Sequence, residues 1–252
     1  MRGINKKELL ISSIKSIFGT IPVAGTALTE VFFEYSSSVK QKRLNKFVEL
    51  LSDYFTKSSD VSVKNIKTED FSDLFEAVLK RVVTTKSFQK LTRFRDILVK
   101  EMGNLTEETE LIDLYLDLIT TLSEEELIIL EKHKYFDQSF DNERGRLSDL
   151  NDKYRIALKN QKNEAVIFGQ SKYENECLRL KNEIEKIENK HKPILIFKNA
   201  NYYGIEESKF YFYKQRLSSK GLLVDYGRIG AAPFNIMYIT EFGKEFINFI
   251  KL

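Results

Sequence analysis

Residues 213–250, YKQRLSSKGLLVDYGRIGAAPFNIMYITEFGKEFINFI, hold the pattern that decides the fold of the C-terminal part of this chain. An amphipathic stretch from Glu206 to Lys220 predicts a helix, and Gly221 is the residue type that most often follows a helix end. Beyond it, Leu222 to Tyr226 and Asn235 to Ile239 predict the two strands of a β-hairpin around a glycine-rich turn. The sequence therefore predicts a helix that is followed at once by a hairpin.

Two short motifs relate this ending to a known type of domain. Thr240 predicts the cap of a last helix from Glu241 to Ile250, so the order is helix, glycine, strand, glycine-rich turn, strand and helix. That order is the layout of a winged helix. The ending resembles the winged-helix domains of bacterial regulators in L-x-x-x-G-L-L at residues 217–223 and in Y-I-T-x-F-G at residues 238–243. The resemblance implies that the third helix of the domain lies in the DNA major groove while the wing contacts the DNA backbone.

Positive charge is concentrated in this part of the chain. Residues 191–252 hold nine Lys and Arg against five Asp and Glu, whereas the remaining residues hold 31 against 32. The formal net charge of the whole chain is only +3, so any basic surface is local. The alternative to a DNA-binding surface is a solvated helix face, because Glu206 and Glu207 at the helix start would oppose phosphate. Double-stranded DNA is one of two candidate partners of this domain, the other being a protein, and five cations are expected to contact the DNA phosphates: Lys209, Lys214, Arg216, Lys220 and Arg228.

Two heptad seams precede the winged-helix pattern. Their positions recur at alternating steps of three and four residues, which is typical of a coiled coil. The segment FGQSK at residues 168–172 suits a reversal between the seams, so we expect an antiparallel coiled-coil hairpin with arms of roughly 20 residues. A continuous dimeric rod is the alternative. The seam positions are Leu147, Asn151, Tyr154, Leu158, Gln161, Ala165 and Phe168 in the first arm, and Tyr173, Cys177, Leu180, Ile184, Ile187 and His191 in the second.

Further upstream, the pattern is that of packed amphipathic helices. Thr68, which is followed by Glu69, predicts a helix N-terminus, and Ser123 with Glu126 forms an S-x-x-E capping box that opens a helix ending near Tyr135. The other predicted helices run from Asn5 to Phe18, Leu28 to Lys57, Glu69 to Thr84, Ser87 to Met102 and Glu107 to Thr120.

These elements together predict a mainly α fold with a helical body, an antiparallel coiled-coil hairpin and a C-terminal winged-helix domain with a small β-hairpin. The helical body is expected at residues 1–120 and the winged-helix domain at residues 121–252. We interpret the helix that Ser123 caps as the first helix of the winged helix, which makes the coiled-coil hairpin an insertion at about residues 141–192.

Residues 17–33, IFGTIPVAGTALTEVFF, form the stretch that most resembles a membrane segment. A helix that spans a bilayer needs about 20 predominantly apolar residues, whereas two glycines, a proline and Glu30 interrupt this one. We therefore expect a buried helix break and no membrane partner, with membrane insertion as the alternative. The single cysteine, Cys177, and the lack of a secretory-type leader predict a cytoplasmic protein.

The sequence contains no recognisable catalytic or metal-binding pattern. Residues 19–26, GTIPVAGT, have the glycine spacing of a phosphate loop, but they lack its lysine and follow a predicted helix instead of a strand. His133 and His191 have no further ligands at the spacing of a metal site, and Cys177 occupies a predicted heptad core position. We therefore expect no enzyme activity, no cofactor and no metal.

The segment I-P-x-x-G-x-x-x-x-E at residues 21–30 precedes the helical middle and the predicted winged helix. This order resembles a group of bacterial proteins found with phage-defence and other conflict genes. The resemblance implies a role in antiviral defence but no reaction and no catalytic residues. We therefore expect a non-enzymatic sensor or scaffold with a protein partner encoded nearby, whose winged helix binds DNA or protein; homo-oligomers are a further expectation. The alternatives are a winged-helix transcriptional regulator and a membrane-acting toxin that uses residues 17–33.

Overall fold

Helices make up most of the part of the chain that this computed structural model describes, which is residues 39–57, 62, 64–103, 109–168, 173–226, 234 and 237–250. The expected mainly α fold is confirmed, with a small two-stranded antiparallel sheet. The helices are α1 (Val39–Lys57), α2 (Glu69–Val82), α3 (Phe88–Gly103), α4 (Thr109–Thr121), α5 (Glu124–His133), α6 (Gln138–Phe168), α7 (Glu174–Leu195), α8 (Glu207–Ser219) and α9 (Glu241–Ile250). Two 3₁₀ turns, Ile196–Lys198 and Ala200–Tyr203, follow α7, and the strands β1 (Leu223–Asp225) and β2 (Met237–Ile239) precede α9.

Local side chains explain where two of the helices begin. The Thr68 hydroxyl accepts a hydrogen bond from the Phe71 amide at 3.2 Å at the start of α2. At α5 the capping box is complete, because Glu126 N donates to Ser123 Oγ at 3.2 Å and Ser123 N donates to Glu126 Oε2 at 2.7 Å. Both predicted helix starts are therefore confirmed, and each satisfies amide groups that the helix itself leaves without a partner.

The chain divides into two compact units. One comprises Met1–Leu122 and Asn248–Leu252, and the other comprises Ser123–Ile247.

The first unit is a bundle in which α1, α2, α3 and α4 pack around aromatic side chains. Phe47, Phe71, Phe75 and Phe94 are fully buried there. Polar side chains close the ends of these helices: Arg43 Nη1 donates to the Val83 carbonyl at 2.9 Å, and Lys90 Nζ donates to the Thr120 carbonyl at 2.8 Å.

In the second unit, α6 and α7 lie side by side and run in opposite directions. Arg146 pairs with Glu183 at 3.0 Å, and Glu143 accepts hydrogen bonds from both Lys190 and His191. These contacts join the start of α6 to the end of α7, so the two helices form a hairpin. Its core is a cluster of buried side chains: Leu150, Ala157, Cys177, Leu180 and Ile184.

The buried seam of this hairpin differs from the predicted one in its first arm. Asn151 was expected in the seam, but it is exposed, and its side-chain amide donates to the Leu147 carbonyl at 2.9 Å. Leu150 and Ala157 are buried instead. Leu147 and Tyr154 belong to both the predicted and the observed seam. The two seams differ in which of the neighbouring residues of α6 face α7.

The base of the hairpin packs on the small sheet. Phe136, Phe140 and Tyr238 form a buried cluster, and the Tyr238 hydroxyl donates to Asp141 Oδ1 at 2.7 Å. The Ile239 amide donates to the Phe136 carbonyl at 2.9 Å, which extends the hydrogen bonding of β2 to the segment before α6. Residues near the base of the hairpin thus belong to the core of the second unit.

Within these described ranges, none of the helices is long and apolar enough to cross a membrane. The predicted helix from Asn5 to Phe18, the predicted helix break at residues 17–33 and the phosphate-loop-like residues 19–26 lie outside the described residues.

Candidate interaction surface of helix α8

The two motifs that suggested a winged helix meet at one point between α8, β1 and α9. Gly221 has a positive φ of 73°, a backbone conformation that glycine adopts without strain. Thr240 Oγ1 donates to the Gly221 carbonyl at 2.7 Å and accepts a hydrogen bond from the Gly243 amide at 2.9 Å. The Thr240 amide donates to the Leu222 carbonyl at 3.1 Å. Thr240 therefore caps α9, as predicted, and fastens it to the turn that ends α8.

Lys214 was predicted to contact DNA phosphates, but it does not lie on an exposed polar face of α8, where such a contact would be made. Its side chain is only 3% exposed. The ammonium lies 4.5 Å from the centre of the Phe210 ring and 4.4 Å from that of Tyr211. Burial lowers the pKa of Lys214 to about 8.

The Lys214 ammonium binds the backbone of Phe234, a residue between the two strands. Its Nζ donates to the Phe234 carbonyl at 2.6 Å, and the Phe234 amide donates to Asp225 Oδ2 at 2.7 Å. Phe234 has a positive φ of 61°, which is unusual for a residue with a side chain. One cation and one carboxylate thus fix both polar backbone groups of a residue in a strained conformation.

Arg216 is likewise engaged within the second unit. Its Nη1 lies 3.0 Å from Glu126 Oε2, the carboxylate that also completes the capping box of α5. Glu126 is fully buried, whereas the Arg216 side chain is 34% exposed. Because a buried carboxylate without a partner is costly, Arg216 stabilises the packing of α8 on α5 and is not a free phosphate contact.

The other predicted contacts are placed differently. Lys209 is exposed, and its ammonium lies 5.4 Å from the centre of the Tyr213 ring. The pKa of Lys209 is raised, mainly by a hydrogen bond to Tyr213. Lys220 is half-buried just beyond the end of α8, and Arg228 lies outside the described residues. Among the predicted contacts on α8, Lys214 and Arg216 therefore bind groups within the second unit, whereas Lys209 is exposed.

Phe212 is the most prominent apolar group on the surface of α8, although it is not among the residues that were predicted to contact a partner. Its side chain is 51% exposed, with the Arg216 guanidinium 5.8 Å from its ring centre. A pattern in the sequence does distinguish it from its neighbours. Phe210, Tyr213 and Leu217 form the buried stripe of α8, and Lys214 falls on that stripe at the i+4 position from Phe210, whereas Phe212 falls outside it.

His133 lies in the core beneath α8. Its Nδ1 donates to the Ile129 carbonyl at 2.7 Å, and the rings of Phe136 and Phe210 flank it. Burial, together with the charges of Lys214 and Lys198, lowers the pKa of His133 to about 4. The imidazole is therefore neutral at physiological pH and acts as a core side chain.

The exposed residues of α8 offer one aromatic ring, two opposite charges and small polar groups. They are Glu207, Ser208, Lys209, Phe212, Gln215 and Ser219. In the part of the chain described by the structure, His, Cys, Asp and Glu side chains form no group of three suited to a metal ion. The chain matches no protein-family model, no curated protein and no solved structure.

Proposed function

We propose that this chain is a non-enzymatic adaptor that binds a protein partner through the exposed face of α8. The observation that carries the proposal is the exposure of Phe212 while Lys214 and Arg216 are engaged internally. Exposed aromatic residues are enriched at the centres of protein interfaces, and charged residues are depleted there.

The charge of this face also favours a protein over duplex DNA. Glu207 and Lys209 are the two exposed charged residues of α8, and their formal charges cancel. Binding to a DNA backbone depends on several cations that release counterions from phosphates. The Arg216 guanidinium beside Phe212 is partly exposed, but it is paired with Glu126. A face with one central aromatic ring and few unpaired charges is better suited to a partner whose own apolar residues cover Phe212.

We further propose that α5, α8, the two strands and α9 form a winged helix, with α6 and α7 inserted as a coiled-coil hairpin. The order of these elements and the Thr240 contacts support this interpretation. The resemblance to proteins encoded beside phage-defence genes supports a role in antiviral defence. In that role, the adaptor would connect a partner encoded nearby to the rest of a defence system.

Site-specific photo-crosslinking in the host cell tests the proposal. A photoreactive phenylalanine analogue replaces Phe212 in one variant and Leu114 of α4, which has a similar exposure, in the control. We expect a discrete crosslinked protein from position 212 and none from position 114. The variant Phe212→Ser should lose protection against phage and keep its melting temperature, because the ring is exposed.

A titration with duplex DNA of about 20 base pairs distinguishes the competing function. At roughly 50 mM salt, where electrostatic binding is strong, we expect Lys209→Glu to leave the fluorescence anisotropy of the duplex unchanged relative to the wild type. Duplex binding that Lys209→Glu abolishes, or equal crosslinking from positions 212 and 114, would contradict the adaptor function.

A further inference from the structure

Three aromatic rings form a connected group on the surface of the second unit, where α5 ends and the 3₁₀ turns begin. We call Tyr135, Phe197 and Tyr202 the aromatic ridge. The Tyr135 and Phe197 rings are stacked with centres 5.7 Å apart and planes 24° apart. Phe197 and Tyr202 meet edge to face, with centres 4.8 Å apart. The ridge thus joins two segments that are far apart in sequence.

The outer rings of the ridge are exposed although the ridge is anchored to the core. Tyr135 is 42% exposed and Tyr202 is 44% exposed. Beneath them, the Tyr203 hydroxyl donates to the Phe197 carbonyl at 2.9 Å, and the Tyr203 ring stacks on buried Phe210 at 5.3 Å. This anchoring holds the exposed rings in place, so little conformational entropy is lost when a planar group stacks on them.

Positive charge surrounds the aromatic ridge. The Lys132 ammonium lies 5.5 Å from the centre of the Phe197 ring, and the Lys134 ammonium lies 5.0 Å from that of Tyr135. Across residues 131–135 and 192–203, which carry the rings, the charged residues at the surface are Lys132, Lys134 and Lys192 against Glu131, because the Lys198 ammonium instead lies 4.6 Å from the centre of the fully buried Phe136 ring. The ridge therefore combines exposed π-faces with a local excess of cations.

We propose that the aromatic ridge binds single-stranded nucleic acid. Unpaired bases stack on Tyr202 and on Tyr135, and the Lys134 ammonium moves off the Tyr135 ring when a base takes its place. Lys134 and Lys132 then contact the phosphates on either side. This combination of stacking rings and cations is the general mode by which proteins hold single strands. Paired bases in a duplex have no free faces for such stacking, and an acidic peptide would use the lysines but not the rings.

This inference goes beyond the proposed adaptor function and is independent of it, because it does not use Phe212. If both are correct, the chain binds a protein through α8 and a single strand through the aromatic ridge. A single strand exposed during infection would then be a signal that the adaptor passes to its partner.

Fluorescence anisotropy with labelled oligonucleotides tests the inference. The probes are oligo(dT) and oligo(rU) of about 15 nucleotides, which is near the length that single-strand sites cover, and a duplex of equal length. For the full chain at roughly 50 mM salt, we expect at least one of the single strands to bind about tenfold more tightly than the duplex. The preferred probe shows whether DNA or RNA is the better ligand.

Substitutions separate stacking from charge. Tyr202→Ala and Tyr135→Ala should each weaken single-strand binding by about tenfold, because each removes the stacking of one base. Tyr226→Ala is the matched control, since Tyr226 is also more than half exposed but lies at the end of β1. The double variant Lys132→Gln, Lys134→Gln should make the slope of log affinity against log salt less steep by about 1.4, because each lysine that binds a phosphate contributes about 0.7 to that slope.

Three results would overturn the inference: neither single strand binds at roughly 50 mM salt, the tyrosine variants bind as the wild type does, or polyglutamate competes as well as unlabelled oligonucleotide. The last result would assign the surface to an acidic protein. Phe212→Ser serves to keep the two proposals apart, because it should abolish crosslinking to the protein partner and leave oligonucleotide binding unchanged.

Discussion

At the scale of single residues, Lys214 shows how the role of a charge depends on which side of a helix carries it. A lysine four residues from a buried phenylalanine falls on the apolar stripe of α8. The sequence presents it as one of several cations near a predicted DNA-binding helix, whereas the structure uses it to bind the Phe234 carbonyl. The positive charge of this region therefore overstates the charge that its surface offers to a partner.

Replacing Lys214 with glutamate should destabilise the protein. Lys214→Glu removes the donor to Phe234 and buries a carboxylate beside that carbonyl oxygen, which we expect to cost about 3 kcal/mol or more in the free energy of unfolding. Lys209→Glu on the exposed side of the same helix should change it by no more than about 0.5 kcal/mol. Chemical denaturation at pH 7 measures both. Equal free energies of unfolding for the two variants would show that Lys214 is exposed in solution.

The pH dependence of unfolding gives a second measure of the same interaction. The pKa of Lys214 is lowered to about 8 in the folded chain, and it is about 10.4 in an unfolded one. Between these values the unfolded chain binds the proton that the folded chain has released, so stability increases with pH there. The wild type should therefore gain stability relative to Lys214→Met as the pH rises above 8. A constant difference between the two proteins across this range would contradict the lowered pKa.

At the scale of elements, the sequence best predicted the features that depend on one short segment, which are the helix caps. Thr68, Ser123 and Thr240 cap their helices as predicted, because each cap involves residues three positions apart. The seam of α6 was wrong at Asn151, since Leu147 and Tyr154 are compatible with a seam on either side of them. Leu150 and Ala157 are buried because they contact α7. Which side chains of α6 are buried therefore depends on the packing of two helices, and the sequence of α6 alone does not determine it.

Gly243 lies where α9 approaches Leu222 closely. A Cβ at this position would lie 2.4 Å from the Leu222 carbonyl oxygen and 2.9 Å from Ile239 Cγ1. Gly243→Ala should therefore lower the free energy of unfolding by about 1–3 kcal/mol, as overpacking does elsewhere. Thermal unfolding followed by circular dichroism measures this loss.

Gly145 provides the matched control for that substitution. It lies within α6, and a Cβ there would meet no atom within 4 Å. Gly145→Ala should stabilise the protein by up to about 1 kcal/mol, because alanine favours a helix more than glycine does. If both alanines had the same effect on unfolding, the close approach of α9 to Leu222 would not exist in solution.

At the scale of the whole molecule, the sequence predicts the helices of the two compact units better than the surfaces that those helices leave exposed. The helical character of both was evident from their periodic apolar residues. The position of Phe212 outside the buried stripe of α8 can also be read from that periodicity. The aromatic ridge was not evident, since it depends on which faces remain uncovered after packing. Tyr135 and Tyr202 are 67 positions apart, and nothing in the local sequence around either one indicates that Phe197 joins them.

The distal and basal parts of the hairpin of α6 and α7 pack against different side chains, so removing one or the other should have different effects on stability. The distal side chains Leu150, Cys177 and Leu180 belong to a cluster of the hairpin alone. At the base, Asp141 accepts the hydrogen bond of Tyr238, and the ring of His191 lies 4.6 Å from that of Phe140. Removing the distal part therefore exposes little of the sheet, whereas removing the base exposes the side chains that pack against the sheet.

Two deletions should consequently behave differently. Replacing residues 147–187 with a short glycine-serine linker should leave the rest of the protein folded, with a melting temperature within a few degrees of the wild type. Deleting residues 141–192 should lower it by at least about 5 °C, because removing the partners of Tyr238 and Phe140 costs about 2 kcal/mol or more. Differential scanning calorimetry of both proteins measures the difference. Equal melting temperatures would show that the sheet does not depend on the base of the hairpin, and unfolding of the shorter deletion would show that the distal hairpin is part of the core.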